Sequence, residues 1–247
     1  MKIRGLLGLV VTVMILFFAV DPASAKKKKS KIAGHDQFLT TEGFLSHHPD
    51  LRWRLAGLDA MEQNRPELAV TYFKRAAQYA DKPSQAMLAE MYKDGLGVEA
   101  DVVQAYIWME LAAERGWTWV VAKREKYWSE LTVEQQSRVR QIGPSMCDKY
   151  ADVIAKPRLE KKLRRGRRQV TGSRVGFLGS VQIQIPTANG MLTVSGDQYY
   201  KDTYWQPEKY WEWQAEAWAE PKSGTVTVHR PEVLTSDEAQ DAKEEKE

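Results

Sequence analysis

The 247-residue chain is 43% hydrophobic and 28% charged, which excludes a chain disordered throughout and a multi-span membrane protein. Its 36 basic and 33 acidic residues leave a net charge of +3, too even a balance to make a compositional case for a nucleic-acid partner. A single cysteine, Cys147, excludes an internal disulfide framework and a multi-cysteine metal site.

The chain opens with the pattern of a secretory signal peptide. Lys2 and Arg4 are followed by an apolar stretch from Leu6 to Val20 and by the small residues Ala23, Ser24 and Ala25. The stretch is shorter than the roughly 20 residues of a spanning helix. Cleavage after Ala25 is therefore expected, with an uncleaved anchor as the alternative. Export to the periplasm of a Gram-negative bacterium is the expected destination. Residues 26–48 then read as a basic leader, with five lysines among residues 26–31 and no apolar period there.

Residues 49–155 carry an internal repeat with an offset of 36. Ala69 falls on Ala105, Tyr72 on Trp108, Ala76 and Ala77 on Ala112 and Ala113, Ala80 on Gly116, Ala86 on Ala122 and Tyr92 on Trp128. A period of 20–50 residues signals stacked supersecondary units. In the clearest unit the spacing predicts a helix over 84–93, with Ala86, Leu88, Met91 and Tyr92 on one face. Gly95 and Gly97 end it, and Val98 turns back to the core. Asp101 caps a second helix that carries Ala105, Trp108, Ala112 and Ala113 and closes at Gly116. Small residues there let two helices approach closely, and Trp108 fills the gap beside them.

This unit, Tyr92-x-x-Gly95-x-Gly97-Val98 followed by Asp101, Ala105 and Trp108-x-x-x-Ala112-Ala113, resembles the Sel1-like repeat, a relative of the tetratricopeptide repeat. The resemblance covers about 100 residues, 51–150. The unit before, 51–80, lacks the glycine pair. The unit after begins at Thr118, and Thr132 to Gln135 reads as a capping box for a further helix. The resemblance implies a helix-pair solenoid that holds a protein or peptide, with no catalytic residue and no cofactor. The positions expected to contact a partner are Arg52, Glu90, Lys93 and Lys123, polar residues on the first helix of each pair.

Residues 156–170 form a basic linker or helix, dense in Lys161, Lys162, Arg164, Arg165, Arg167 and Arg168. An anionic cell-wall or membrane surface is the partner such a run suggests in an exported chain. Residues 171–234 read as a small β-rich module. Val181, Ile183 and Ile185 alternate with polar residues, and Asn189-Gly190 turns into a second strand. The aromatic run through Trp211 and Trp213 alternates as a strand, with a helix from Pro207 as the alternative, and 225–228 suggests another hairpin. The aromatic cluster is read either as a compact core or as a platform, with Trp211 and Trp213, for a glycan or peptide. Residues 235–247 form an acidic, solvated tail.

No hydrolase elbow, phosphate loop or zincin motif is present. His47-His48 falls in a loop without a second ligand pair, and Cys147 is expected to be buried in a helix. The expectation is a mainly α, non-catalytic repeat scaffold without metal or cofactor. A cell-wall or glycan-binding module is the alternative function.

Overall fold

Three successive helices carry a proline at their first or second position, where its missing N–H costs nothing. They are α2 (Pro49–Glu62), α3 (Pro66–Ala77) and α4 (Lys82–Asp94), preceded by the short α1 (Glu42–Leu45). The order continues with α5 (Val102–Ala113), α6 (Thr118–Ser129), α7 (Val133–Tyr150) and α8 (Asp152–Arg168). A hairpin of β1 (Gln182–Thr187) and β2 (Gly190–Ser195) follows, and α9 (Gly196–Tyr199), α10 (Asp202–Trp205) and α11 (Pro207–Ala219) complete the set. This computed structural model describes residues 37–169, 181–187 and 190–219. The signal segment, the lysine run, the second suggested hairpin and the acidic tail lie outside the described residues.

The fold is mainly α, with helix pairs in the repeat region and a small two-stranded sheet near the C-terminus. Pairs α2–α3 and α4–α5 pack through small residues. Gly57 lies so close to Phe73 that an added Cβ would overlap the ring. Ala105 and Ala112 are each 1% exposed, and Trp108 is buried beside them. Left-handed backbone turns the chain between these helices at Asn64, Ala80, Gly95, Gly97 and Gly116, with φ between 55° and 73°. Ala80 and Gly116 occupy the same place in the 36-residue period, and both adopt it. Asp81 accepts from the backbone N–H of Ser84 at 3.1 Å, and Asp101 from those of Val103 and Gln104 at 2.9 and 3.0 Å. Thr132 and Gln135 form the capping box.

The C-terminal aromatic run departs from the strand reading. Residues 207–219 are helical, because the period that matters is set by what the rings meet: Tyr210 and Gln214, four apart, both face the core. The β1–β2 hairpin is antiparallel, with Ile185 and Val194 buried. One further expectation changes. Residues 38–48 are folded rather than a solvated leader: Phe38, Leu39, Phe44 and Leu45 join Ile185, Val194, Tyr199, Tyr204 and Trp205 in one core. Of the two readings of the basic run, linker or helix, the structure has the helix, and it is docked: Ala155, Leu159 and Leu163 are fully buried on one face of α8.

Helices α8 and α11 run back over the N-terminal ends of the first helices α2, α4 and α6. Asp152, at the start of α8, meets Arg115 at 2.9 Å and Lys82 of α4 at 3.0 Å. Midway, Arg158 donates to the carbonyl of Gln78 at 3.3 Å. At its end, Gly166 sits where a Cβ would overlap Trp205, beside His47. Helix α11 returns alongside. Tyr210 donates to Asp50 of α2, Arg54 donates to Gln214 at 3.5 Å, and Trp218 packs on Trp117 and on Trp119 of α6.

Candidate protein-binding surface

Helices α4 and α6, the first helices of neighbouring pairs, present three of the four polar positions expected from the sequence as one cluster. Lys123 of α6 lies 2.7 Å from Glu90 of α4. The Tyr127 hydroxyl donates to the same carboxylate at 2.9 Å. One turn on, Lys93 pairs with Glu130 and stands 4.2 Å over the Tyr127 ring. Burial, then the neighbouring Glu90, raises the Tyr127 pKa well above its ordinary value, so this hydroxyl stays a donor. Glu130 is exposed, and its bond from Lys93 lowers its pKa. The arrangement is two ion pairs of opposite polarity, one turn apart, beside the Tyr127 ring. Tyr127 and Glu130 were not singled out from the sequence; their offsets of 37 from Glu90 and Lys93 are one period plus one residue, which is the signal that points to them.

Arg52 stands apart from this cluster. It pairs with Glu42 at 2.9 Å and lies over Trp53. Trp211 and Trp213 are half-buried on α11. Trp211 donates to Glu160 at 3.2 Å and lies against Arg115 and Lys156, while Trp213 packs edge-on to Tyr204 and Tyr210. The surrounding Tyr199, Tyr204, Trp205 and Tyr210 are buried, so these rings face inward as a core. The repeat-signature residues act in packing and turns. Leu88, Ala105, Trp108, Ala112 and Ala113 are buried, Ala86 and Tyr92 are packed against the same core, Asp101 caps α5, and Gly95, Gly97 and Gly116 turn the chain.

Two polar networks escaped the sequence reading because their members are far apart in the chain. The Lys82 ammonium is fully buried and reaches Glu114 at 2.6 Å, Asp152 at 3.0 Å, the Leu111 carbonyl at 2.8 Å and Gln85 at 3.1 Å. Burial lowers the Lys82 pKa against the pull of these acids. Burial opposes ionisation of Asp152 too, yet Arg115 and Lys82 hold its pKa well below the usual range. The second network runs Asp50–Tyr210–Gln214–Arg54–Asp81 and ties α2 to α11 and to the cap of α4. Burial, reinforced by Asp81, raises Asp50 to about 7. Beside it, His48 is buried between the carbonyls of Phe44 and Tyr204, at 2.9 and 2.8 Å. Both carbonyls favour a charged ring, but burial prevails and lowers it to about 4.

Cys147 is exposed rather than buried, because it lies at the margin of the stripe Val139, Ile142, Met146 and Tyr150 by which α7 packs. Among the described residues, no group of three or more His, Cys, Asp or Glu is placed to hold a metal.

Comparison with known proteins agrees with the repeat geometry. Residues 52–78 and 82–117 match the model of the Sel1 repeat. The second match runs from α4 through α5 to the turn at Gly116, and the first covers α2 and α3. No curated protein matches this sequence. The solved structure of c5321, a protective antigen present in uropathogenic Escherichia coli strains displaying an SLR fold, aligns at 25% identity with a TM-score of 0.39. That alignment covers 52% of this chain and 27% of that one, so this chain spans about a quarter of its length.

Proposed function

We propose that the chain is a non-catalytic scaffold, acting in the periplasm of a Gram-negative bacterium, that captures a segment of another protein on the α4–α6 face. Sel1 repeats are in general protein-interaction scaffolds. The observation that carries the reading is the partly exposed cluster of two ion pairs of opposite polarity, Glu90–Lys123 and Lys93–Glu130, beside the Tyr127 ring. An extended segment or a helix of complementary charge would exchange these internal pairs for its own. The leader pattern of residues 1–25 supports the compartment.

The test is a charge swap, Glu90→Lys with Lys123→Glu. It keeps an internal ion pair and inverts the pattern a partner meets; since it also removes the acceptor of the Tyr127 hydroxyl, the swapped chain is compared with the parent below its own melting temperature. Partners recovered by cross-linking to the parent are expected to be lost from the swapped chain. Retention by the swap, with loss on Trp211→Ala in a folded chain, would instead move recognition to α11 and favour the glycan or peptide platform. The cationic side of α8 supports a second, separate contact, with an anionic surface.

A further inference from the structure

The side of α8 opposite its buried face changes character along its length. Ala155, Leu159, Leu163 and Gly166 face inward. Opposite them, at 100° per residue, the first turns present Val153 and Ile154, 76% and 38% exposed, with Pro157 also exposed. The later turns present Lys161, Arg164, Arg165 and Arg168, which with Gln169 line an open hollow of about 610 Å³. Among the described residues, Lys161, Arg165 and Arg168 have no acidic partner, whereas Arg164 and Arg167 are paired with Glu160 and Asp202. From residue 153 to 168 the face is about 22 Å long.

Resting on the reading of α8 as a contact for an anionic surface, we propose that this face docks peripherally on a bilayer containing anionic phospholipid. The phosphate groups of the lipid provide the charge complement, and guanidinium forks match phosphate in pairs of hydrogen bonds. The exposed Val153 and Ile154 decide between a bilayer and a soluble polyanion. Apolar side chains gain nothing from a polyphosphate chain but gain from entering the boundary between headgroups and acyl chains. Docking is shallow. The apolar face of α8 is already committed to Tyr210 and its neighbours, and no helix among the described residues is long and apolar enough to cross a membrane. The solenoid would thus sit on the membrane by its α8 edge, with the α4–α6 cluster on other helices left for a partner.

The experiment is sedimentation of the full chain with vesicles of phosphatidylcholine alone and of phosphatidylcholine mixed with phosphatidylglycerol, across salt concentrations. The apolar residues 6–20 contribute to both vesicle types, so the reading is the gain on anionic over neutral vesicles. In Lys161→Gln/Arg165→Gln/Arg168→Gln that gain is expected to fall by about a hundredfold, at roughly a factor of five per cation, with an unchanged melting temperature. A gain equal to the parent's in the folded triple variant overturns the proposal. A parallel arm titrates soluble polyphosphate. If the parent binds polyphosphate through these three residues but shows no gain on anionic vesicles, the anionic contact stands and the bilayer as its source is wrong. If neither probe responds to the triple variant, the anionic contact itself fails.

Discussion

Gly97 and Gly116 both have positive φ, but they are glycines for different reasons. A Cβ at Gly97 would overlap the Pro66 carbonyl group and the Glu67 nitrogen, whereas at Gly116 it would meet nothing within 4 Å. Gly116→Ala therefore carries only the left-handed penalty, about 1 kcal/mol. Gly97→Ala adds a clash with backbone that no rotamer relieves, and roughly 3 kcal/mol is expected in total. Urea midpoints of the two variants separate these values; equal midpoints would mean the α4–α5 loop does not press on the start of α3. His48 and Asp50 titrate with opposite sign. Between about pH 4 and 6.5 the unfolded chain binds a proton that buried His48 refuses, so this group adds stability as pH rises. Between pH 3.8 and about 7 folded Asp50 keeps a proton that the unfolded carboxyl releases, so this group removes stability as pH rises. The two slopes largely cancel in the parent. In Asp50→Asn only the His48 slope survives, and Tm is expected to climb from pH 4.5 to 6.5 more steeply than the parent's. Parallel profiles would place neither group where the structure has it.

Helix α8 shows how an element can look like a linker and be part of a core. Its composition is dominated by Lys and Arg, yet three of its apolar residues, Ala155, Leu159 and Leu163, fall at i, i+4 and i+8 and are buried. Leu163 packs in one cluster with Leu159 and Tyr210 of α11. Brief trypsin treatment is accordingly expected to leave 152–168 uncut despite its many basic sites. Leu163→Ala removes buried contact at a cost of about 2–5 kcal/mol and should open the same run to the protease. Mass analysis of the fragments checks both, and early cleavage after Lys161 or Arg165 in the parent would mean α8 is not docked. The polar side of the attachment is the Lys82 cluster. Lys82→Met takes from Glu114 its lysine partner and leaves Asp152 with Arg115 and Lys156, and roughly 3 kcal/mol of destabilisation is expected.

At the scale of the molecule, the C-terminal elements close over the repeats. The core of Phe38, Phe44, Tyr199, Tyr204 and Trp205 draws on both ends of the described chain, and the Asp50–Tyr210 bond joins residues 160 apart in sequence. Cutting between repeats and C-terminal elements would strand Asp50, whose second carboxylate oxygen has no hydrogen-bond partner. Far-ultraviolet circular dichroism and tryptophan fluorescence are therefore expected to report a single unfolding transition for the full chain. Two separated transitions would show that the repeats and the C-terminal elements fold as independent bodies.

The repeats were legible in the sequence because everything that makes them is local. The offset of 36, the caps Asp101 and Thr132, the glycine turns and the small residues at the crossings all act within one or two helices, and propensity and period report them directly. Glu90, Lys93 and Lys123 were legible as polar positions on first helices; that they form one cluster with Tyr127 and Glu130 was decided by how α6 lies on α4. The aromatic run misled because Trp211, Trp213 and the alternating alanines carry a period of two, while tertiary packing selects Tyr210, Gln214 and Trp218 at a helical one. Whether a ring is core or platform, and whether a basic run is linker or strap, depends on what lies across from it. That partner is often supplied from tens of residues to more than a hundred away, at a distance that no local pattern encodes.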